Sequence, residues 1–155
     1  MSKVESIVNR ALRSALSGLM ILLLFDVVWQ VFSRYVLRDP SSFTDELARY
    51  LLIWLALLGA AYITGQKMHI AIDLLSKKLN SGWINGLVQL AIICFVFLVF
   101  IVGGIRLVTI TLQLEQQSAA LQIPLGYIYL VLPLSGALML FFLSMDLIKT
   151  FRSSS

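Results

Sequence analysis

The sequence predicts an all-α integral membrane protein with four transmembrane helices. Only 13% of its residues are charged, against about 25% in a typical soluble domain, and its mean hydropathy is +0.92. Two long runs, 83–105 and 123–145, contain no charged side chain, and about 20 apolar residues suffice to cross a bilayer. We therefore expect a single membrane domain over residues 1–155. Its parts are spans at about 15–36, 43–65, 83–106 and 123–147, and in-plane amphipathic arm helices at about 3–14 and 67–79.

Spans one and two are less uniformly apolar than the other two. The first apolar run, 15–32, is interrupted by Asp26 and Gln30. A signal peptide is an alternative for this region, but the run has no small-x-small cleavage site at its end, and we retain it as span one. The second run, 50–64, is only about 22 Å long at 1.5 Å per residue. It must therefore recruit the charged segment 43–49 to reach the membrane surface.

Spans three and four carry two local irregularities. Residues 108–114 alternate apolar and polar side chains as an exposed strand does, but a single strand beside the membrane would leave its backbone unpaired. We expect a continued or bent helix there. Pro124 suits the first turn of span four, whereas Pro133 removes the hydrogen bond to Tyr129 and predicts a kink.

The orientation follows from the 12 Lys and Arg residues, because basic residues are retained on the cytoplasmic side of a membrane. Eight of them share a side with the termini: Lys3, Arg10, Arg13, Lys67, Lys77, Lys78, Lys149 and Arg152. The remaining four fall on the other side: Arg34, Arg38, Arg49 and Arg106. This bias predicts that both termini are cytoplasmic.

Two segments on the predicted cytoplasmic side are amphipathic. Their apolar residues recur at helical spacing: Val4, Ile7, Val8, Ala11 and Leu12 in the first, and Met68, Ile72, Leu75 and Leu79 in the second. Helices of this kind lie flat on a membrane surface, where the lysine side chains of the second can reach lipid phosphates. For the first segment, a frayed chain end is the alternative.

The segment between spans one and two contains a group of charges. Pro40 breaks the first helix, and Ser42 can cap the next one, with Asp45 completing a short capping box. Asp45 and Glu46 then occupy the first turn, where the helix dipole favours acidic side chains. Arg49 follows at helical spacing, so all three charges can share one face. Capping and a surface ion pair account for this pattern without any chemistry.

Asp26 is the main anomaly, because a carboxylate inside a span is costly and usually faces a bundle interior, a cavity or a partner. It is either a coupling site for protons or sodium, or a protonated or paired acid. Arg106 lies at a similar predicted depth and could pair with it, and Arg34 is two turns away along span one. The second interpretation is favoured, because one acid alone makes a poor cation cage.

The sequence argues against an enzyme. The single cysteine, Cys94, excludes disulfide frameworks and thiolate zinc sites, and the single histidine, His69, excludes paired haem ligands within the chain. His69 and Asp73 are one helical turn apart on the second arm and could form a pair, but a metal site needs more ligands. We expect no catalytic residues, no cofactor and no nucleic-acid partner.

Several motifs follow one another in an order that is more specific than any one of them. An acidic pair and an Arg lead into a span with a Gly near its middle, a His-hydrophobic-x-hydrophobic-Asp segment and a proline-containing fourth span. The residues are Phe43–Tyr50, Trp54, Gly59–Ala61, His69–Asp73, Gln122–Pro124, Tyr127, Tyr129 and Leu132–Gly136. This order resembles the small, Q-type or DctQ-like membrane subunit of tripartite ATP-independent periplasmic (TRAP) transporters. The departure is that Phe43 and Thr44 stand where many relatives carry Trp and Ser.

The resemblance implies a non-catalytic scaffold in the bacterial inner membrane. In such transporters a large membrane subunit holds the substrate and sodium sites and moves like an elevator, while a periplasmic solute-binding protein delivers organic acids such as carboxylates or sialic acid. The small subunit is the fixed part. The residues expected to face a partner subunit or membrane phospholipids are Asp26, Arg34, Asp45, Glu46, Arg49, His69, Asp73 and Arg106.

A second functional class remains open. Small multidrug exporters resemble this chain in size and in carrying an acid in span one, so a dimer of four-span chains using Asp26 is the alternative. Such exporters are more compact and lack long arms between spans. A membrane anchor of a redox complex has little support, because the chain has no pair of haem ligands.

Overall fold

The computed structural model describes residues 3–38, 42–79 and 82–153, with side chains for 4–38, 42–66 and 87–147. The helices in chain order are α1 (Lys3–Phe32) with a π-helical turn (Ser33–Leu37), α2 (Ser42–Leu79), α3 (Gly82–Val96) with a π-helical segment (Phe97–Gly103), α4 (Gly104–Gln113), α5 (Leu125–Tyr129) and α6 (Val131–Ser153). Within these ranges, four stretches are long and apolar enough to cross a membrane: Val4–Leu37, Ser42–Gln66, Leu87–Gln113 and Leu125–Leu147. The predicted all-α fold with four transmembrane helices is confirmed.

Both predicted arm segments are helical, but neither is separated from its neighbouring span. α1 runs unbroken through 3–14 into span one, and α2 continues from span two through 67–79. Neither helix contains a proline, the residue that would interrupt its backbone hydrogen bonds. Each helix therefore continues without a break. Leu12 is buried in the core with Val8 packed beside it, so this part of α1 packs on the bundle. The placement of both segments on the membrane surface, and of both termini in the cytoplasm, stays a prediction.

α1 and α2 form an antiparallel pair along a regular seam. The less exposed residues of α1 run through Glu5, Asn9, Leu12, Leu16, Leu19, Leu23, Asp26, Gln30 and Ser33. They recur at alternating intervals of four and three, which is the spacing of a left-handed coiled coil. Gln30 lies beside Asp45, and Leu16 lies opposite Gly59, so the two helices run in opposite directions. Leucines fill the middle of the seam, and polar side chains occupy its two ends.

α6 is the central helix of the described bundle. It packs on α2 on one side and on the π-helical segment of span three on another. The buried residues of the two core clusters are Leu12, Leu58, Val131 and Phe142 in one, and Ala61, Val96, Met139 and Leu143 in the other. Each cluster includes residues from α6, so the core follows this helix, and α1 lies at the edge of the bundle against α2.

Two glycines allow spans three and four to approach closely. A Cβ atom added to Gly136 would lie 2.6 Å from the Cβ of Phe100, and one added to Gly104 would lie 3.0 Å from the Cδ of Pro133. Small residues at helix crossings let backbones come together in membranes, where van der Waals packing drives association. The close approach of spans three and four therefore depends on the absence of a Cβ atom at Gly104 and Gly136.

Both predicted irregularities are present in the structure. Residues 104–113 form α4, so the alternating pattern belongs to a continued helix and not to a strand. Leu130 separates α5 from α6 in the region where Pro133 predicts a kink. The indole N–H of Trp54 donates a 3.1 Å hydrogen bond to the carbonyl oxygen of Ile128, just before this break. The interrupted helix is thereby held to span two.

Gly136→Ala tests the close approach of spans three and four. The new methyl group would overlap Phe100 near its backbone, and overpacking of this kind costs about 1–3 kcal/mol. We expect the purified variant to unfold at a lower temperature than the wild type in a detergent thermal-shift measurement. Gly18→Ala is the control, because a Cβ at Gly18 meets no atom within 4 Å and alanine favours the helix. Equal melting temperatures for the wild type and Gly136→Ala would contradict the packing.

Candidate functional site

The carboxylate of Glu46, near the start of α2, accepts four hydrogen bonds. Three come from consecutive backbone N–H groups, those of Ala119 at 3.1 Å, Ala120 at 2.7 Å and Leu121 at 3.0 Å. The hydroxyl group of Tyr50, one turn further along α2, donates the fourth at 2.8 Å. We call these five residues the Glu46 clamp. It connects span two to the loop between spans three and four.

The fold of this loop explains why its N–H groups need an acceptor. The Ser118 N–H donates to the Ile123 carbonyl at 2.9 Å, and the Gln122 N–H donates to the Ser118 carbonyl at 3.1 Å. Gln122 closes the turn in a left-handed conformation, with a φ of 53°. The N–H groups of 119–121 then converge on one side, where only that of Leu121 has a second acceptor, the Ser118 hydroxyl at 3.3 Å. Convergent backbone N–H groups form a natural anion site.

The donors match the capacity of an ionised carboxylate, which accepts about four hydrogen bonds and donates none. Hydrogen bonds to a charged acceptor are also the stronger kind. Because both oxygen atoms of Glu46 are occupied by groups of the same chain, they are not free to coordinate a cation or a substrate. The role of the Glu46 clamp is therefore structural.

Asp45 connects span two to span one. Its Oδ1 accepts a 3.1 Å hydrogen bond from the Gln30 amide, and its Oδ2 forms an ion pair with Arg49. The charge of Arg34 also acts on this carboxylate. The predicted pair of Asp45 and Arg49 is confirmed. The charges of Asp45 and Glu46 both act on Arg49, as the predicted shared face requires, although the Glu46 carboxylate is bound by the loop. The capping box of Ser42 and Asp45 stays a prediction.

All four spans are thus linked at one end of the bundle, and each link includes a residue of span two. Gln30 brings span one to Asp45, the Glu46 clamp holds the loop between spans three and four, and Trp54 holds α5 of span four. The Asp45 ion pair is exposed to solvent, and exposed pairs contribute little to stability. The Glu46 clamp is the largest of the polar connections between spans, because it has four hydrogen bonds whereas Gln30 and Trp54 donate one each.

Asp26 lies in the seam between α1 and α2. Its side chain is 8% exposed, and its Oδ2 has no hydrogen-bond partner among the described residues. The predicted pairing with Arg106 is wrong, because α1 packs on α2 whereas α4 packs on α5 and α6, and Arg106 is exposed. Arg34 acts on Asp45 instead. No group of three His, Cys, Asp or Glu side chains within the described ranges could hold a metal ion.

His69 and Asp73 lie on the continuous helix α2, beyond span two. Residues four apart on a helix share a face, in agreement with the predicted pair. Their side chains lie outside the described residues, so the pair and its contact with lipid or a partner stay predictions.

The fold and the clamp together define a four-span helical membrane protein whose main polar contacts hold its helices together. Residues 19–153 match the family model of the DctQ component of tripartite ATP-independent periplasmic transporters. The chain belongs to this family, which is a membrane component of a transporter and not an enzyme.

Three relatives extend this assignment. The chain is 30% identical over 141 residues to the isethionate TRAP transporter permease protein DctMQ of Oleidesulfovibrio alaskensis, covering 83% of the chain and 21% of that protein. It is 34% identical over 76 residues to the sialic acid TRAP transporter small permease protein SiaQ of Vibrio cholerae, covering 49% of the chain and 44% of that protein. It is 30% identical over 95 residues to the sialic acid TRAP transporter permease protein SiaT of Haemophilus influenzae, covering 59% of the chain and 15% of that protein. The chain spans less than half the length of each of these relatives.

Sequence reasoning found the charged side chains of the site but not the groups that bind them. The donors to Glu46 are backbone N–H groups, and these are identical in every residue except proline. A weaker signal was available in the loop, where Ala119 and Ala120 have side chains small enough to let a carboxylate approach the backbone. Gln30 interrupts an apolar run in the sequence, and nothing in that run indicates that its amide donates a hydrogen bond to Asp45 of span two.

Glu46→Gln tests the clamp, because it preserves the shape of the side chain but removes its charge and turns one acceptor into a donor. We expect the amide hydrogens of residues 119–121 to exchange about tenfold faster in the purified variant, as local opening becomes easier. Hydrogen–deuterium exchange with mass spectrometry measures this directly. Glu115→Gln is the matched control, since Glu115 is an exposed acid just before the same turn. Unchanged exchange at 119–121 in Glu46→Gln would show that the clamp does not hold the loop.

Proposed function

We propose that this chain is the small membrane subunit of a sodium-coupled TRAP transporter for organic acids, in which it is the stationary scaffold. In this proposal its partners are a larger multispanning subunit in the bacterial inner membrane and a periplasmic solute-binding protein. The chain itself performs no chemistry. The substrate and sodium sites belong to the larger subunit.

The proportions of one match support a large partner. Most of this chain, 83%, aligns with only 21% of the isethionate permease DctMQ. The remainder of that permease is therefore several times longer than the part that resembles this chain. We infer that this chain binds a protein that corresponds to this remainder, and that the two are separate subunits.

The names of two relatives support the substrate class. The Vibrio cholerae relative is named for sialic acid and the Oleidesulfovibrio alaskensis relative for isethionate. Sialic acid carries a carboxylate and isethionate carries a sulfonate, so an organic anion is the chemistry that they share. We extend this class, and neither individual compound, to the present chain.

The observation that carries the scaffold role is the Glu46 clamp. Its carboxylate is fully engaged by the chain's own donors, and Trp54 and Gln30 use their polar groups in the same way. A transporter whose substrate-binding part moves needs another part that keeps its shape in the bilayer. A bundle cross-linked through polar contacts at one end meets this need.

Purification of the tagged chain from its native membranes in a mild detergent tests this function. We expect a larger multispanning protein to co-purify in a fixed ratio. Liposomes containing both proteins, supplied with the periplasmic solute-binding protein, should accumulate an organic acid when a sodium gradient is present. Replacing sodium with choline is the control and should abolish uptake. Uptake by liposomes that contain this chain alone would overturn the scaffold role.

Asp26→Asn separates the scaffold from a self-sufficient exporter. An exporter that couples transport to a titrating carboxylate loses activity when an amide replaces it. In the scaffold, Asp26 is a buried seam residue, and an amide of the same size fits its place. We expect the assembled complex to keep near-normal uptake. Complete loss of transport with normal assembly would favour the exporter instead. Asp146→Asn, the same acid-to-amide change at a buried position of span four, is the matched control.

A further inference from the structure

An apolar groove of about 540 Å³ lies between spans one and two, within the part of the bundle that crosses the membrane. Its walls include Leu16, Met20 and Ile21 of α1, and Leu55, Gly59 and Ile63 of α2. Gly59 creates the space, because even a Cβ atom added there would remain 4.0 Å from the nearest side-chain atom of Leu16. The rims are open, since Met20 and Ile63 are each about half exposed.

One end of this groove is polar and positively charged. Arg10 and Arg13 are exposed and precede Ser17, a groove residue, on the same stripe of α1. Neither guanidinium group forms a hydrogen bond or an ion pair with another described residue. Across the groove, the Gln66 amide lies 3.4 Å from the Tyr62 hydroxyl. Because α1 and α2 are antiparallel and Leu16 faces Gly59, Gln66 and Tyr62 lie at the level of the two arginines.

The depth of this end matches a membrane surface. The stretch Val4–Leu37 is about 51 Å long at 1.5 Å per residue, whereas the hydrocarbon core is about 30 Å thick. If Gln30, in the linked end of the bundle, lies at one surface, the other surface crosses α1 about 20 residues away, close to Arg10. The arginines then lie among headgroups, and the walls of the groove lie among acyl chains.

We propose that this groove binds one anionic phospholipid, with an acyl chain along the apolar walls and the phosphate at Arg10 and Arg13. A phospholipid supplies both kinds of contact that the site requires, an apolar chain and a negative charge at one end. An apolar transmembrane helix of another protein would fill the walls but would supply no anion to Arg10 and Arg13, which form no hydrogen bond or ion pair with another described residue. This binding does not depend on the transport role.

Native mass spectrometry of the purified full chain tests the site, with dioleoyl phosphatidylglycerol and dioleoyl phosphatidylcholine as probes. We expect one phosphatidylglycerol molecule to bind more tightly than phosphatidylcholine. Arg13→Gln should weaken phosphatidylglycerol binding about fivefold, the order expected for one basic residue near an anionic lipid, and should change phosphatidylcholine binding little. Gly59→Leu, which fills the groove, should weaken binding of both lipids.

Two variants serve as controls. Arg38→Gln removes an exposed arginine just after span one, and Gly18→Leu adds the same side chain at a glycine outside the groove with open space around it. Both should bind lipid like the wild type. Equal affinity of the wild type for the two lipids would overturn the proposal, as would unchanged phosphatidylglycerol binding in Arg13→Gln. Loss of a co-purifying protein from Gly59→Leu with lipid binding intact would assign the groove to a protein partner instead. If Gly59→Leu does not fold, Arg13→Gln decides alone.

Discussion

Three consecutive backbone N–H groups at the edge of a membrane are the constraint on which this bundle depends. A folded chain rarely leaves backbone donors unpaired, and within this turn the Ser118 hydroxyl accepts from only one of them, the Leu121 N–H, at 3.3 Å. Glu46 provides the acceptor from a different span, more than 70 residues away in sequence. Docking of span two therefore stabilises this fold of the loop between spans three and four.

The same contact sets the register of the rest of the bundle. Asp45 is next to Glu46 on α2 and accepts a hydrogen bond from the Gln30 amide of span one. This bond fixes the axial position of α1 relative to α2. With this register, the seam residues of α1 recur at alternating intervals of four and three residues, and Leu16 lies opposite Gly59. The inter-span hydrogen bonds of Gln30, Glu46 and Trp54 lie at one end of the bundle. Further along the α1–α2 pair, leucines and glycines form the contacts. In a bilayer this division is favourable, because apolar side chains gain little from leaving lipid and specificity must come from polar contacts and close fit.

The four spans could be predicted because each is a property of a local stretch of sequence, and the helix break at Leu130 could be predicted because Pro133 lacks an N–H. The clamp could not, since its donors are backbone groups that every residue carries. The supposed pair of Asp26 and Arg106 failed for a different reason. Equal depth in a membrane says nothing about which helices are lateral neighbours, and here α2 lies beside α1 while α4 lies beside α5 and α6. The arms merged with their spans because amphipathicity marks a change of surroundings, whereas a helix ends only where backbone bonding is interrupted.

Internal contacts alone cannot fix a stationary subunit, because a rigid bundle can still shift along the membrane normal. At the linked end, Glu46, Gln30 and Trp54 use their polar groups for contacts within the chain, so these contacts determine the shape of the bundle and not its depth. At the other end of the α1–α2 pair, Arg10 and Arg13 face outward beside an apolar groove. A bound anionic lipid there would attach the bundle to one leaflet, since moving the arginines inward would carry charge into the hydrocarbon. The two ends of a single helix pair thus resist different displacements, one of helix against helix and the other of the bundle against the bilayer.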